Sequence, residues 1–206
     1  MTTREDATII NSLVRQALTS AQEVMGDNGL NAVLRTSGLE RFIGNFPPNN
    51  LEPSIQASQY AQLNKAIEDF YGRGGKGMLR RIGKASFQYG LREQSALLGV
   101  AGVALKLLPE KQRIKFILNG MADALKKSNP EVNAWVDDTV DRLAYIEATC
   151  AICHSRHSET PICYLYVGSI TEAVQWATGK EYEIRETHCI AKGDEYCRFE
   201  VGDVRA

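Results

Sequence analysis

The chain of 206 residues has no cysteine before position 150 and only three histidines, all of them after that position. Its charge is balanced, with 24 Lys and Arg against 25 Asp and Glu, so it lacks the basic excess typical of nucleic-acid-binding proteins. No stretch approaches 18 consecutive apolar residues, and we expect no membrane span. These absences leave an ordinary globular protein, 44% apolar, whose chemistry is concentrated near the C-terminus.

The first residues of the chain, Met1 to Thr8, are polar and acidic and lack the apolar core of a secretory signal. We therefore expect a cytoplasmic protein, in which reducing conditions disfavour disulfides. In that compartment a group of cysteines indicates metal or redox chemistry. All five cysteines lie between Cys150 and Cys197, so this chemistry is assigned to the C-terminal quarter.

Apolar residues at three- and four-residue spacing predict helices through most of the first 127 residues. The predicted helices cover about residues 9–18, 28–38, 54–71, 78–108 and 110–127, and the apolar run from Ser95 to Leu108 has the character of a buried core helix. A glycine-rich bend, Gly72 to Gly77, separates two of them. It satisfies Gly-x-Gly-x-x-Gly but follows a predicted helix rather than a strand, which argues against a dinucleotide site.

From Pro130 onward the period of the pattern changes from helical to alternating. Strands are predicted over about 132–136, 142–149, 182–186 and 196–201, with a helix over 162–178 that ends near Gly179. The predicted fold class is therefore α+β, with N-terminal helices packed against an antiparallel sheet of about four strands.

The segment from Glu186 to Cys197 places a carboxylate and two thiols around a Gly-Asp turn between two predicted strands. If the strands form a hairpin, Glu186, Cys189 and Cys197 converge, and Cys163 upstream can complete a set of four donors. Three thiolates and a carboxylate suit tetrahedral zinc. Four protein ligands leave no open position, so we expect this zinc to be structural.

The motif Cys150-Ala-Ile-Cys153-His154 is a separate candidate site. It matches the Cys-x-x-Cys-His pattern of covalent haem attachment, and its spacing also fits a redox pair. It could equally supply half of a metal or iron–sulfur site, in an alternative tetrad of Cys150, Cys153, Cys189 and Cys197. A thiol-rich loop with no bound group is the remaining alternative.

The order of elements and the C-terminal signature together resemble the 4-vinyl reductase domain family. The resemblance rests on Glu186-x-x-Cys189, then Gly193, Cys197 and Phe199, with Cys163 upstream in a Pro-x-Cys motif. This family includes the phenol- and xylene-sensing regions of bacterial activators and a protein of bacteriochlorophyll synthesis. Its fold is shared with certain vesicle-tethering subunits.

The resemblance implies a zinc ion held by Cys163, Glu186, Cys189 and Cys197, beside a cavity for an apolar ligand. It also implies a homodimer. We expect residues 1–30 to form an N-terminal helical extension and residues 31–206 to form the ligand-binding domain. The ATPase and DNA-binding regions of the activators are not present in this sequence, which predicts a stand-alone domain.

The predicted function is a sensor or carrier for an apolar, aromatic or tetrapyrrole-type ligand. Six aromatic residues are candidates for the lining of its pocket: Phe116, Trp135, Tyr145, Tyr164, Tyr166 and Trp176. The alternatives are a reductase of a tetrapyrrole vinyl group, with Cys150 and Cys153 as the candidate electron-donating pair, and a dimeric assembly adaptor. No catalytic residue is nominated, because no triad or paired-carboxylate motif stands out.

Overall fold

The computed structural model describes residues 6–93, 105, 107–129, 131–139 and 142–205. Its α-helices are α1 (Asn11–Thr36), α2 (Ala57–Tyr71), α3 (Gly75–Glu93), α4 (Glu110–Ser128) and α5 (Tyr164–Thr178). Its strands are β1 (Thr8–Ile10), β2 (Pro53–Gln56), β3 (Ala134–Asp137), β4 (Ala144–Glu147), β5 (Tyr182–His188) and β6 (Cys197–Val204). Most of the helix predicted over Ser95–Leu108 lies outside the described residues.

Strands β3 to β6 form an antiparallel sheet in the order β3-β4-β6-β5. The central strand β4 is buried along its whole length, which explains why its sequence does not alternate cleanly between apolar and polar residues. Tyr145 on β4, Phe199 on β6 and Tyr166 on α5 pack together, with ring centroids 5.6–6.3 Å apart. The predicted α+β class with a four-stranded antiparallel sheet is confirmed.

The N-terminal half differs from the predicted pattern in two places. Helix α1 joins the first two predicted helices into one element, with a kink at Gly26, where φ is +72°. Strands β1 and β2 form a short antiparallel ribbon that the sequence pattern did not indicate. Helix α1 runs across the predicted boundary between residues 30 and 31 and contributes buried side chains on both sides of it, so the extension stays a prediction.

The bend predicted at Gly72–Gly77 is confirmed, because α2 ends at Tyr71, a 3₁₀ turn covers Gly72–Gly74 and α3 begins at Gly75. A helix, rather than a strand, therefore precedes the Gly-x-Gly-x-x-Gly motif. Among the described residues, no helix combines the length and the apolar character that a membrane crossing requires.

Helices α3 and α5 pack closely because glycines lie where their backbones meet. A Cβ atom placed on Gly83 would lie 2.0 Å from the carbonyl oxygen of Leu165, and one on Gly168 would lie 2.1 Å from the carbonyl oxygen of Arg80. The hydroxyl of Ser169 donates a hydrogen bond to the Gly83 carbonyl at 3.0 Å. This crossing fixes α5 against the helical half and thereby positions its first residues, next to Cys163.

We predict that Gly168→Ala lowers the free energy of unfolding by about 3 kcal/mol, because the added methyl group overlaps backbone atoms that cannot move independently. Gly77→Ala on α3 is the matched control, since a Cβ there meets no atom within 4 Å. The control should gain about 0.5–1 kcal/mol from the better helix propensity of alanine. Urea unfolding of both variants measures the difference, and equal effects would contradict the close approach.

Candidate metal centre and adjoining cavity

The five cysteines and Glu186 come from three separate parts of the C-terminal half. Cys150 and Cys153 flank the 3₁₀ turn that follows β4, and Cys163 is the residue before α5. Glu186 lies on β5, Cys189 follows that strand, and Cys197 begins β6. The β5–β6 pairing holds the last three together, since Glu186 stands opposite Phe199.

The sulfur atoms lie close enough to share one metal ion. Cys153 Sγ lies 2.9 Å from Cys163 Sγ, 3.4 Å from Cys189 Sγ and 3.5 Å from Cys197 Sγ. Cys163 and Cys197 are 3.8 Å apart. Two thiolates bound to one tetrahedral zinc at about 2.3 Å would be about 3.8 Å apart. Most of these spacings are therefore near those of a four-coordinate site.

Glu186 faces the same group of sulfurs. One donor atom from each of Cys153, Cys163, Glu186, Cys189 and Cys197 falls within a mutual distance of 4.8 Å. Oε2 of Glu186 accepts a hydrogen bond from the backbone N–H of Cys163 at 2.7 Å, and Oε1 is buried without a hydrogen-bond partner among the described residues. Burial, together with the neighbouring charge of Cys189, raises the pKa of Glu186 to about 9.

Backbone and side-chain contacts shape the loop that carries Cys189. The backbone N–H of Cys189 donates to Oδ2 of Asp194 at 2.7 Å, and the N–H of Ile190 donates to Cys197 Sγ at 3.4 Å. The loop turns at Gly193, whose φ is +100°. These bonds orient both thiols toward the centre and place a partial positive charge against one of them.

All five cysteines are buried and none is in a disulfide. Burial and the surrounding thiols raise the pKa of Cys163 well above its ordinary value. Burial opposes ionisation of Cys150 as well, but hydrogen bonds from Cys153, Cys163 and Cys197 outweigh it and lower the pKa of Cys150. Several thiolates can coexist in this volume only if a cation offsets their repulsion.

The four predicted ligands are thus brought together, and Cys153 joins them. Cys150 Sγ also lies 3.5 Å from Cys163 Sγ, although it is outside the mutual group of five. His154 points elsewhere, with Nε2 3.4 Å from Oδ1 of Asp6. Cys153 is therefore part of the same cluster, and Cys150 lies beside it.

A cavity of about 1210 Å³ adjoins this cluster. Its apolar wall comes from α1, α3, α4 and α5, and includes Leu13, Phe87, Leu91, Met121, Leu125 and Leu165. Its polar lining includes Tyr60, Cys150, Cys153 and Tyr166, which lie around Glu147, and His154. The turn carrying Cys150 and Cys153 thus belongs both to the sulfur cluster and to the cavity wall.

Of the six aromatic residues predicted to line a pocket, Tyr166 lies in this cavity wall. Tyr145 is buried beside it in the core, and Trp135 packs edge-on against Tyr196. Tyr164 lies under the cationic groups of Lys76 and Arg80. Phe116 and Trp176 are each 38% exposed.

Glu147, at the end of β4, is a cavity residue that the sequence analysis did not single out. It is 2% exposed, and its Oε2 atom has no hydrogen-bond partner among the described residues. Burial raises the pKa of Glu147 to about 7, although the hydrogen bond from Tyr166 acts in the opposite direction. An acidic residue in an otherwise apolar strand was the available signal, since charged side chains are rarely buried without a partner.

Solved structures with the same fold include H-NOX proteins. A mutant Fe(II) unliganded H-NOX protein from K. algicida aligns with a TM-score of 0.62 and 12% identity, over 96% of this chain and 97% of that one. An H-NOX protein from S. oneidensis in the Fe(II)NO state aligns with a TM-score of 0.60 and 10% identity, over 93% and 99%. At these identities the likeness shows the fold alone.

Residues 145–203 match the V4R domain. This segment is therefore a V4R domain, and the predicted resemblance to the 4-vinyl reductase domain family is confirmed for it. It contains Glu147, Glu186 and all five cysteines. An uncharacterized protein from Methanocaldococcus jannaschii is 36% identical over 56 residues, which are 27% of this chain and 31% of that protein. The match thus spans about a third of the length of this relative.

We predict that Asp194→Ala weakens zinc binding by about 10- to 100-fold without changing its stoichiometry at saturation, because the Cys189 loop loses the acceptor that orients it. Competition against a chromophoric chelator measures the affinity. Asp203→Ala is the control, since Asp203 is exposed and pairs with Arg142 away from the cluster. Unchanged affinity in the Asp194 variant would show that the loop is held by other contacts.

Proposed function

We propose that this chain is a small-molecule-binding domain, a sensor or carrier, in which a structural zinc ion supports one wall of the ligand cavity. The observation that carries the proposal is the shared turn from Cys150 to Cys153, which borders both the sulfur cluster and the 1210 Å³ cavity. The V4R match and the fold of the H-NOX proteins support the same class of function.

The cavity favours a ligand that is large and mainly apolar. Ligand pockets for drug-sized molecules are usually about 300–1,000 Å³ and have mostly apolar walls with a few polar groups. This cavity exceeds that range, so a multi-ring aromatic or tetrapyrrole-type compound fits its size. Binding would be driven by the removal of apolar surface from water, and the polar lining residues would fix the orientation of the ligand.

The proposed metal ligands are Cys163, Glu186, Cys189 and Cys197, and the proposed metal is zinc. Cys153 competes with Glu186 for the fourth position, because its sulfur lies within 3.5 Å of three of the other thiols. Either set fills a tetrahedral site with protein donors, which favours a structural over a catalytic ion. The ion would tie the β5–β6 hairpin to the start of α5.

Haem is a second candidate ligand, because the solved structures with this fold include one of the H-NOX family in which haem distortion was probed. His154 and His157 both lie in the cavity wall and could offer an imidazole to iron. A haem-loaded protein would show a Soret band after addition of haemin, and that band should be lost in a His154→Ala, His157→Ala double variant.

A reductase remains the alternative in which the chain is an enzyme, and a dimeric adaptor is the alternative in which it acts as a binding surface. The reductase needs Cys150 and Cys153 as free thiols, yet Cys153 is the thiol with the most close sulfur neighbours. The adaptor would use exposed apolar side chains such as Phe116 and Trp176, which are the obvious contacts for a homodimer.

We predict about one zinc per chain in protein purified without added metal, and loss of that zinc in Cys163→Ser. Elemental analysis should then separate the two ligand sets. Glu186→Gln should release zinc if the carboxylate is a ligand, and Cys153→Ser should release it if the thiol is. Cys150→Ser is the matched control and should keep the metal. Metal-free wild-type protein of normal stability would overturn the structural role.

We predict that the fluorescent apolar probe N-phenyl-1-naphthylamine binds in the cavity with a stoichiometry of one. Leu13→Trp adds a large side chain to the cavity wall. It should weaken binding by at least about 10-fold, because the indole ring would occupy volume that the probe needs. Phe116→Ala is the control and should bind normally, because this side chain lies outside the wall. Equal loss in both variants would argue against this cavity as the site.

A further inference from the structure

We propose that Glu147 selects ligands that carry a protonated amine on an apolar body. This inference rests on the proposed ligand-binding function and names the chemical class of ligand. The carboxyl group lies at the end of β4, in the cavity wall, with one oxygen unpartnered among the described residues. No ion pair within the described part of the chain includes it.

Among the described residues, the groups that surround Glu147 are hydroxyls and thiols, and none of them is a positively charged side chain. Its neighbours in the electrostatic environment are the hydroxyls of Tyr60, Tyr145 and Tyr166 and the thiols of Cys150 and Cys153. Tyr166 donates one hydrogen bond to the carboxyl group, which leaves the second oxygen available. Arg156, which also lines the cavity, pairs through Nη2 with Glu68 at 2.8 Å, and its Nη1 atom has no hydrogen-bond partner among the described residues.

A buried carboxyl group with an unpaired oxygen carries a free-energy cost that a suitable partner removes. The carboxyl group has already lost most of its hydration on folding. When a ligand ammonium group pairs with it, the main further cost is therefore the hydration that the ammonium group itself loses. A neutral donor would satisfy one lone pair, whereas a cation also offsets the charge. An anionic ligand group at this end would be repelled, both by Glu147 and by the sulfur cluster.

The charge requirement separates possible ligands of similar shape. It favours an aromatic or alicyclic amine, and it disfavours a compound whose carboxylate would have to enter the Glu147 end of the cavity. A tetrapyrrole with acidic side chains could then bind only with those side chains turned away from this end. The apolar wall from Leu13 to Leu165 would take the ring system in either case.

The test uses three naphthalene probes of nearly equal size: 2-naphthylmethylamine, 2-naphthylmethanol and 2-naphthoate. Displacement of N-phenyl-1-naphthylamine at pH 8, where the carboxyl group of Glu147 is mostly ionised and the amine is still mostly protonated, gives their affinities for the wild type. We expect the amine to bind at least about 10-fold more tightly than the alcohol, and the carboxylate to bind most weakly of the three. Glu147→Gln keeps the shape of the side chain and removes its charge. In this variant the ratio of the affinity for the amine to the affinity for the alcohol should fall to about one.

The wild-type comparison needs no variant, so it stands even if Glu147→Gln folds poorly. Tyr166→Phe is a second variant, and it should keep the amine preference because the carboxyl group remains. Equal binding of amine and alcohol, a preference for the carboxylate, or an unchanged ratio in Glu147→Gln would overturn the role of Glu147 while leaving the cavity function intact. Failure of the fluorescent probe itself to bind would instead overturn the proposed function, and this inference with it.

Discussion

The close approach of buried thiols to one another and to a carboxyl group is the constraint on which the C-terminal half of this protein depends. Four thiols and the carboxyl group of Glu186 lie within 4.8 Å of one another, and their ionised forms cannot coexist there without a cation. With all thiols neutral, the site would be a small apolar cluster that any hydrophobic packing could replace. A bound metal would turn the same residues into a cross-link between the turn after β4, the start of α5 and the β5–β6 hairpin, and its binding free energy would become folding free energy.

The position of that cross-link gives it a consequence for ligand binding. Cys150 and Cys153 lie in a turn that borders the cavity, and the same turn supplies sulfur to the cluster. A ligand that packs against this turn would act on the geometry of the proposed metal site, and a metal that orders the turn would prepare the cavity wall. By thermodynamic reciprocity, each would change the affinity of the other by the same factor. A sensor could use that coupling, whereas a simple carrier would not need it.

The sequence predicts much of this arrangement, and its failures have physical causes. Alternation and glycine stops predicted the sheet and α5, and the spacing from Glu186 to Cys197 predicted a convergent hairpin. The spacing of Cys150 and Cys153 indicates a motif of its own, and the sequence pattern also allows a tetrad of these two with Cys189 and Cys197, but it does not indicate that Cys153 lies next to Cys163. What joins it to the others is the pairing of β4 with β6, which sets Glu147 opposite Cys197 and brings the next turn alongside. Such long-range strand pairing is not contained in any local pattern.

The same pairing bears on the choice between a binding protein and a reductase. A thiol pair can cycle between reduced and oxidised forms only if both sulfurs are free to leave other partners. Cys153 stands between three thiols at 2.9–3.5 Å, so a metal placed among them would hold it as a thiolate ligand or as a near neighbour. Each sulfur that the metal occupies is withdrawn from electron transfer to a substrate. The closer the cluster comes to a complete metal site, the weaker the case for Cys150 and Cys153 as an electron donor, and the stronger the case for a cavity that binds its ligand unchanged.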